Sequence, residues 1–179
     1  MTHVALLRGI NVGGKAKLPM KELAAIFAAV GARDVQTYIQ SGNVVFESDA
    51  AEPLVEAVTK QIAAVYGYPG RIVLRSGAEL RKAYKVNPFE KAGAPAETLH
   101  VYFLADMPAS AAVKLLDPEH SPGDSFAVVG REIYLRMPRG MARTKLTNAY
   151  FDAKLKTVST ARNWNTVGKL VEMLGPVAG

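Results

Sequence analysis

At 179 residues, with 49% hydrophobic and 21% charged residues, the chain suits one ordinary domain or two small subdomains and lies far from the disordered regime. It has no cysteine, which excludes disulfides, thiolate zinc sites and thiol chemistry and fits a reducing cytoplasm. The net charge of +6 is uneven: residues 1–130 balance 13 basic against 13 acidic side chains, whereas residues 131–169 carry nine basic and two acidic. Such a block costs self-repulsion and commonly marks a face that meets an anion.

Val4–Arg8 reads as a short strand, too brief before its arginine to be a signal peptide. The longest uncharged helical stretch, Leu23–Ala32, is half the ~20 residues of a membrane span, so no membrane partner is expected. A glycine-rich loop, Gly9–Leu18, leads into a helix with Pro19 at its first position, Met20, Leu23, Phe27 and Val30 at helical spacing, and Gly31 as its stop. Val35–Gln40 and Val44–Phe46 flank Ser41-Gly42-Asn43 and predict a hairpin. Asp49 with Glu52 is expected to cap a helix whose inner face is Leu54, Val58, Ile62 and Val65. Arg71–Leu74 is a strand, Ser76 and Glu79 form a capping box for a helix through Tyr84, and Asn87-Pro88-Phe89 ends it.

Lys91–Ala96 is the expected joint between an N-terminal subdomain over 1–90 and a C-terminal one over 97–179. Beyond it the order recurs. His100–Leu104 is a strand and Pro108–Leu116 a helix. Ser125–Val129 and Glu132–Arg136 form a hairpin around Gly130-Arg131, and Leu146–Leu155, led by Thr144, is a helix. Trp164, Val167, Leu170, Val171 and Leu174 line a last helix, capped by Asn163 or Asn165. The repeated β-α-β-β-α-(β) order is the ferredoxin-like signature, and tight hairpins require antiparallel neighbours. The expected class is α+β, as two ferredoxin-like subdomains.

Gly9-Ile-Asn-Val-Gly-Gly-Lys15-Ala16 imitates a P-loop, but Ala16 stands where a hydroxyl must hold magnesium. The helix at Pro19 also begins about four residues too late for its amides to face a phosphate. Val101–Asp106 imitates the accompanying strand and aspartate, and Asp106 is equally explained as a helix cap. A magnesium-dependent NTPase is set aside. A backbone cradle for an anion remains, with Arg8, Asn11, Gly13, Gly14, Lys15 and Lys17 around it. Ser41 and Asn43 of the polar turn join this set. The second basic cluster is Arg139, Arg143 and Lys145, on a loop opened by Pro138 and Gly140, with Arg162 beside Trp164. His3, His100 and His120 lack any metal-ligand spacing, so neither a metal nor a cofactor is expected.

Leu6-Leu-Arg-Gly-Ile-Asn-Val-Gly-Gly-Lys15, Tyr38-Ile-Gln-Ser-Gly-Asn-Val-Val-Phe46, Asn87-Pro-Phe89 and Thr160-Ala-Arg-Asn-Trp-Asn-Thr-Val167 resemble a bacterial family, domain-of-unknown-function family 1697, along nearly the whole chain. The resemblance implies a cytoplasmic bacterial protein of two ferredoxin-like subdomains and no established activity or ligand.

Three function classes stay open on the sequence. The first is a binder of phosphorylated ligands, nucleic acid or nucleotide. The second is an enzyme acting on an anionic small molecule, and the third is a structural or partner-binding protein whose charges serve solubility.

Overall fold

The computed structural model describes residues 1–11 and 17–176. In chain order, β1 (Thr2–Arg8), α1 (Met20–Ala29), β2 (Arg33–Tyr38), β3 (Asn43–Glu47), α2 (Ala51–Tyr66) and β4 (Arg71–Ser76) make the first run. Helices α3 (Gly77–Lys85) and α4 (Pro88–Lys91) follow. The second run is β5 (Leu99–Leu104), α5 (Ser110–Lys114), β6 (Ser125–Val129), β7 (Glu132–Arg136), α6 (Asn148–Leu155) and β8 (Ser159–Asn163), closed by α7 (Trp164–Met173).

Each run forms one four-stranded antiparallel sheet, ordered β2-β3-β1-β4 and β6-β7-β5-β8. Both orders are the ferredoxin-like one, with the first strand of the run paired to its third and fourth. The class is α+β, as the element order predicts. Two compact units result: Met1–Lys82 with Lys169–Gly179, and Ala83–Gly168. The division falls within α3 and α7, and residues 91–96 lie inside the second unit.

In the first unit, Ala5, Leu7, Val44 and Phe46 project from the sheet onto Leu23, Ile26 and Phe27 of α1 and Leu54, Val58 and Ile62 of α2. The helical spacing read from the sequence is what brings those side chains to one stripe. Val4 and Leu6, on the opposite face of β1, are equally buried, which is why β1 reads as an unbroken apolar run rather than an alternating one. In the second unit, Tyr102, Leu104, Ile133 and Leu135 meet Leu116, Phe151 and Leu155. The Tyr102 hydroxyl, inside that core, donates to the Leu146 carbonyl at 2.8 Å.

Several local expectations are corrected. Asp49 does not cap α2; its carboxylate pairs with Arg33 and the N-terminus, and Ala50 occupies the cap position. Thr147, not Thr144, caps α6, and Asn87 opens α4 by accepting from Phe89 N and Glu90 N rather than only ending α3. Asp106 caps nothing: its carboxylate accepts from Thr157 Oγ1 at 2.9 Å. The Ser76–Glu79 capping box and the Asn163 cap on Thr166 N are present as read. Strand β8 carries no apolar run and escapes the sequence pattern. Its extended form comes from a five-residue antiparallel register with β5.

Candidate functional site

One end of the first sheet gathers the distinctive residues. The β1–α1 connection (9–19) and the β2–β3 turn (39–42) leave the sheet at the same end, because β1 and β2 run parallel with β3 between them. Asn11 ties the two together. Its Nδ2 donates to the carbonyls of Leu18 at 2.9 Å and Gln40 at 2.8 Å, and its Oδ1 accepts from Leu18 N at 2.9 Å. With φ at 53°, Asn11 holds a left-handed conformation that asparagine tolerates better than most residues.

Beneath it, Gly42 O accepts from Leu7 N at 2.8 Å. A Cβ on Gly42 would lie 2.5 Å from Ile10 Cδ1 and 2.8 Å from Leu7 Cβ, and its φ is +81°. Only glycine fits there, so the turn is pressed onto the strand. Asn43 is fully buried and donates to Tyr38 O and Ser41 Oγ, which locks the turn from inside. The tip pays for this closeness: Ile39 is an exposed β-branched residue at φ 48°, a conformation that costs of order 1–3 kcal/mol wherever the surroundings impose it.

Between these two connections lies an open cavity of about 490 Å³ lined, among the described residues, by Asn11, Lys17, Pro19, Met20 and Gln40. Among the described residues the lining combines a proline, a methionine, one lysine and two amide residues. That combination suits a ligand with an apolar or planar body and an anionic group. Among the described residues the lining offers no carboxylate and no imidazole to act as a base.

The structure thus brings Asn11 and Lys17 together at the cavity and sets Ser41 and Asn43 in the turn behind it. Gly13, Gly14 and Lys15 lie outside the described residues. Arg8 closes β1, half-buried and paired in register with Arg71, and it has interactions of its own. Pro19, Met20 and Gln40 also line the cavity and stand outside the residues singled out in the sequence. The only signal for them was their position flanking the motifs, since proline, methionine and glutamine carry no chemistry a motif search recognises.

The second basic cluster is built differently. Ser121 is buried and staples two loops, donating to Asp124 Oδ2 at 2.6 Å and accepting from Lys145 N at 3.0 Å. Arg139 donates to the Pro122 carbonyl, which closes the same staple. Arg143 and Lys145 point outward and are exposed. Arg162 is not on this surface. Only 6% exposed, it donates from Nη1 to Thr160 Oγ1 and Ala161 O, and burial pushes its pKa down to about 10, so it stays charged at neutral pH. Trp164, beside it, is buried and stacks on Tyr84, as a core anchor.

The sheets are antiparallel and α1 opens at Met20, while residues 12–16 of the glycine motif lie outside the described residues. Among the described residues no helix is long and apolar enough to cross a membrane, and no three metal-binding side chains converge.

A fold of duplicated ferredoxin-like sheets with an elaborated loop at one end of the first is the setting in which the comparisons fall. The chain belongs to a family described as a protein of unknown function (DUF1697), whose profile matches residues 1–134. It is similar in structure to a conserved bacterial protein, SP0830 from Streptococcus pneumoniae, with a TM-score of 0.67 and 25% identity over 97% of this chain and 98% of that one. No curated protein matches the sequence.

Proposed function

We propose that this protein binds a phosphate-bearing small anion of nucleotide type at the end of the first sheet. The observation that carries the reading is the convergence of Asn11, Lys17, Pro19, Met20 and Gln40, from two separate connections, on one cavity of about 490 Å³. Pro19 and Met20 favour a ring, Lys17 favours an anion, and the strained Ile39 tip is the kind of local cost that persists where a binding surface is held in shape. The lack of a base in the described lining supports binding over hydrolysis.

The test is a thermal-shift and calorimetric panel of nucleotides, nucleosides and inorganic pyrophosphate on the full chain. A nucleotide at ~100 times its dissociation constant adds about 2.7 kcal/mol of stability. Lys17→Ala should weaken that binding about tenfold, the order expected for one charge-assisted contact. No response to any member of the panel overturns the proposal.

A second reading rests on the other unit. Arg136, Arg143 and Lys145 are exposed, and among the described residues none of them makes an ion pair, which suits a polyanion such as nucleic acid. Salt separates the two readings. Each phosphate contact on a duplex contributes a slope of about −0.9 in log affinity against log salt, so a steep slope abolished by Arg143→Ala with Lys145→Ala would favour the nucleic-acid face.

A further inference from the structure

Four strands lie at the edges of the two sheets: β2, β4, β6 and β8. An open edge is a row of unpaired main-chain groups, and proteins blunt it with charge, bulges or cover. Strand β2 carries Arg33 and Asp34 and a register shift between Arg33 and Gln36. Strand β4 carries the exposed Arg71, and β8 is largely buried at Ser159, Thr160 and Arg162. Strand β6, Ser-Phe-Ala-Val-Val, has no charge, no proline and no bulge in its pairing with β7.

Its geometry leaves a defined set of groups open. The two-residue turn Gly130-Arg131 makes Val129 and Glu132 a hydrogen-bonded pair, so by alternation Ala127 and Ser125 also bond to β7. The N–H and C=O groups of Phe126 and Val128 therefore point away from the sheet. Among the described residues no main-chain bond links β6 to anything but β7. The strand's end is apolar and open too: Val129 is 43% exposed.

We infer that β6 is an association edge through which two copies of this chain pair antiparallel, joining their second sheets into one. The occupant is a second copy because the strand complements itself. A two-fold axis at Ala127 sets Phe126 against Val128 of the other copy and Ser125 against Val129, so apolar side chains meet and no like charges oppose one another in a molecule of net charge +6. On β2 and β4 an exposed arginine, Arg33 or Arg71, would enter the interface, and β8 is largely buried.

Analytical ultracentrifugation of the full chain, from micromolar to millimolar protein, tests this. The expected result is a concentration-dependent monomer–dimer equilibrium. Ala127→Lys places two ammonium groups on the axis and should raise the dissociation constant at least tenfold. Hydrogen exchange gives an independent readout, with the Phe126 and Val128 amides exchanging freely in dilute protein and becoming protected in concentrated protein. Should Ala127→Lys fold poorly, Val129→Lys at the exposed end of the strand serves the same purpose. A protein monomeric throughout, a dimer indifferent to both lysines, or β6 amides whose protection ignores concentration each overturns the inference.

Discussion

The two units share a frame and differ in what they hang on it. His3 and Val4 of β1 occupy the positions of His100 and Val101 in β5. Across the sheet, Val4 faces Arg75 and His3 faces Ser76, as Val101 faces Arg162 and His100 faces Asn163. Each arginine donates Nη1 to the carbonyl of the preceding residue, and each following residue caps a helix. Leu7 N bonds to Gly42 O in the first unit as Leu104 N bonds to Arg131 O in the second. The frame is the same down to individual hydrogen bonds.

The difference lies at one end of the sheet. The first unit spans its β1–α1 connection with residues 9–19 and its hairpin with 39–42. The second uses 105–109 and a two-residue turn, closed by Arg131 donating to Ala105 O at 3.2 Å. Described residues of the first connection, with the hairpin turn, line a cavity of about 490 Å³, whereas the second connection is short. Loops hung on a rigid frame are where function commonly sits, and the site proposed above falls on the longer connection of the first unit.

The comparison can be broken at its strongest point first. Gly42→Ala meets Ile10 and Leu7 and an unfavourable φ, so it should cost about 3 kcal/mol in a urea unfolding series. The corresponding turn glycine, Gly130, has no atom closer than Glu132 Oε2 at 3.8 Å, so Gly130→Ala should cost only about 1 kcal/mol, from φ alone. Equal losses would mean that the two turns are equally constrained.

Next, Asn11→Ala removes a three-bond clamp and should cost about 2 kcal/mol, with ligand affinity falling alongside stability. Ser76→Ala and Asn163→Ala test the shared frame. Each removes an N-cap at the same place in its unit, and both should lose about 1 kcal/mol.

The smallest effect separates the two histidines. His3 Nε2 contacts Ser48 O, whereas His100 Nδ1 is buried with no hydrogen-bond partner among the described residues, and desolvation holds the His100 pKa below the usual histidine value. The unfolded chain then binds the proton more readily, so this contribution to stability is present above the ordinary histidine pKa near 6.5 and lost as pH falls through it. His100→Asn should flatten that slope, against a wild-type control titrated through the same range. An unchanged slope would assign the acid sensitivity elsewhere.

Much of the frame was legible from residue spacing. Leu23, Phe27, Leu54, Val58 and Ile62 announce two helices over a sheet, and Gly42 and Gly130 announce two hairpins. The Asp49 cap failed because the same carboxylate had a better partner in Arg33, sixteen residues away in the chain. The polar turn at 40–43 was legible as a turn but not as a wall, since its role depends on Asn11 reaching Gln40 O from 29 residues away.

Local periodicity, turn chemistry and charge determined by themselves that this chain is an α+β repeat with a basic glycine-rich loop and no thiol chemistry, because those properties are written in neighbours along the chain. Tertiary structure alone decided that β8 is a strand, that Arg162 is interior, and that Pro19, Met20 and Gln40 share a cavity with Asn11 and Lys17. Each of these depends on antiparallel registers and burial, which bring together residues that no spacing rule connects.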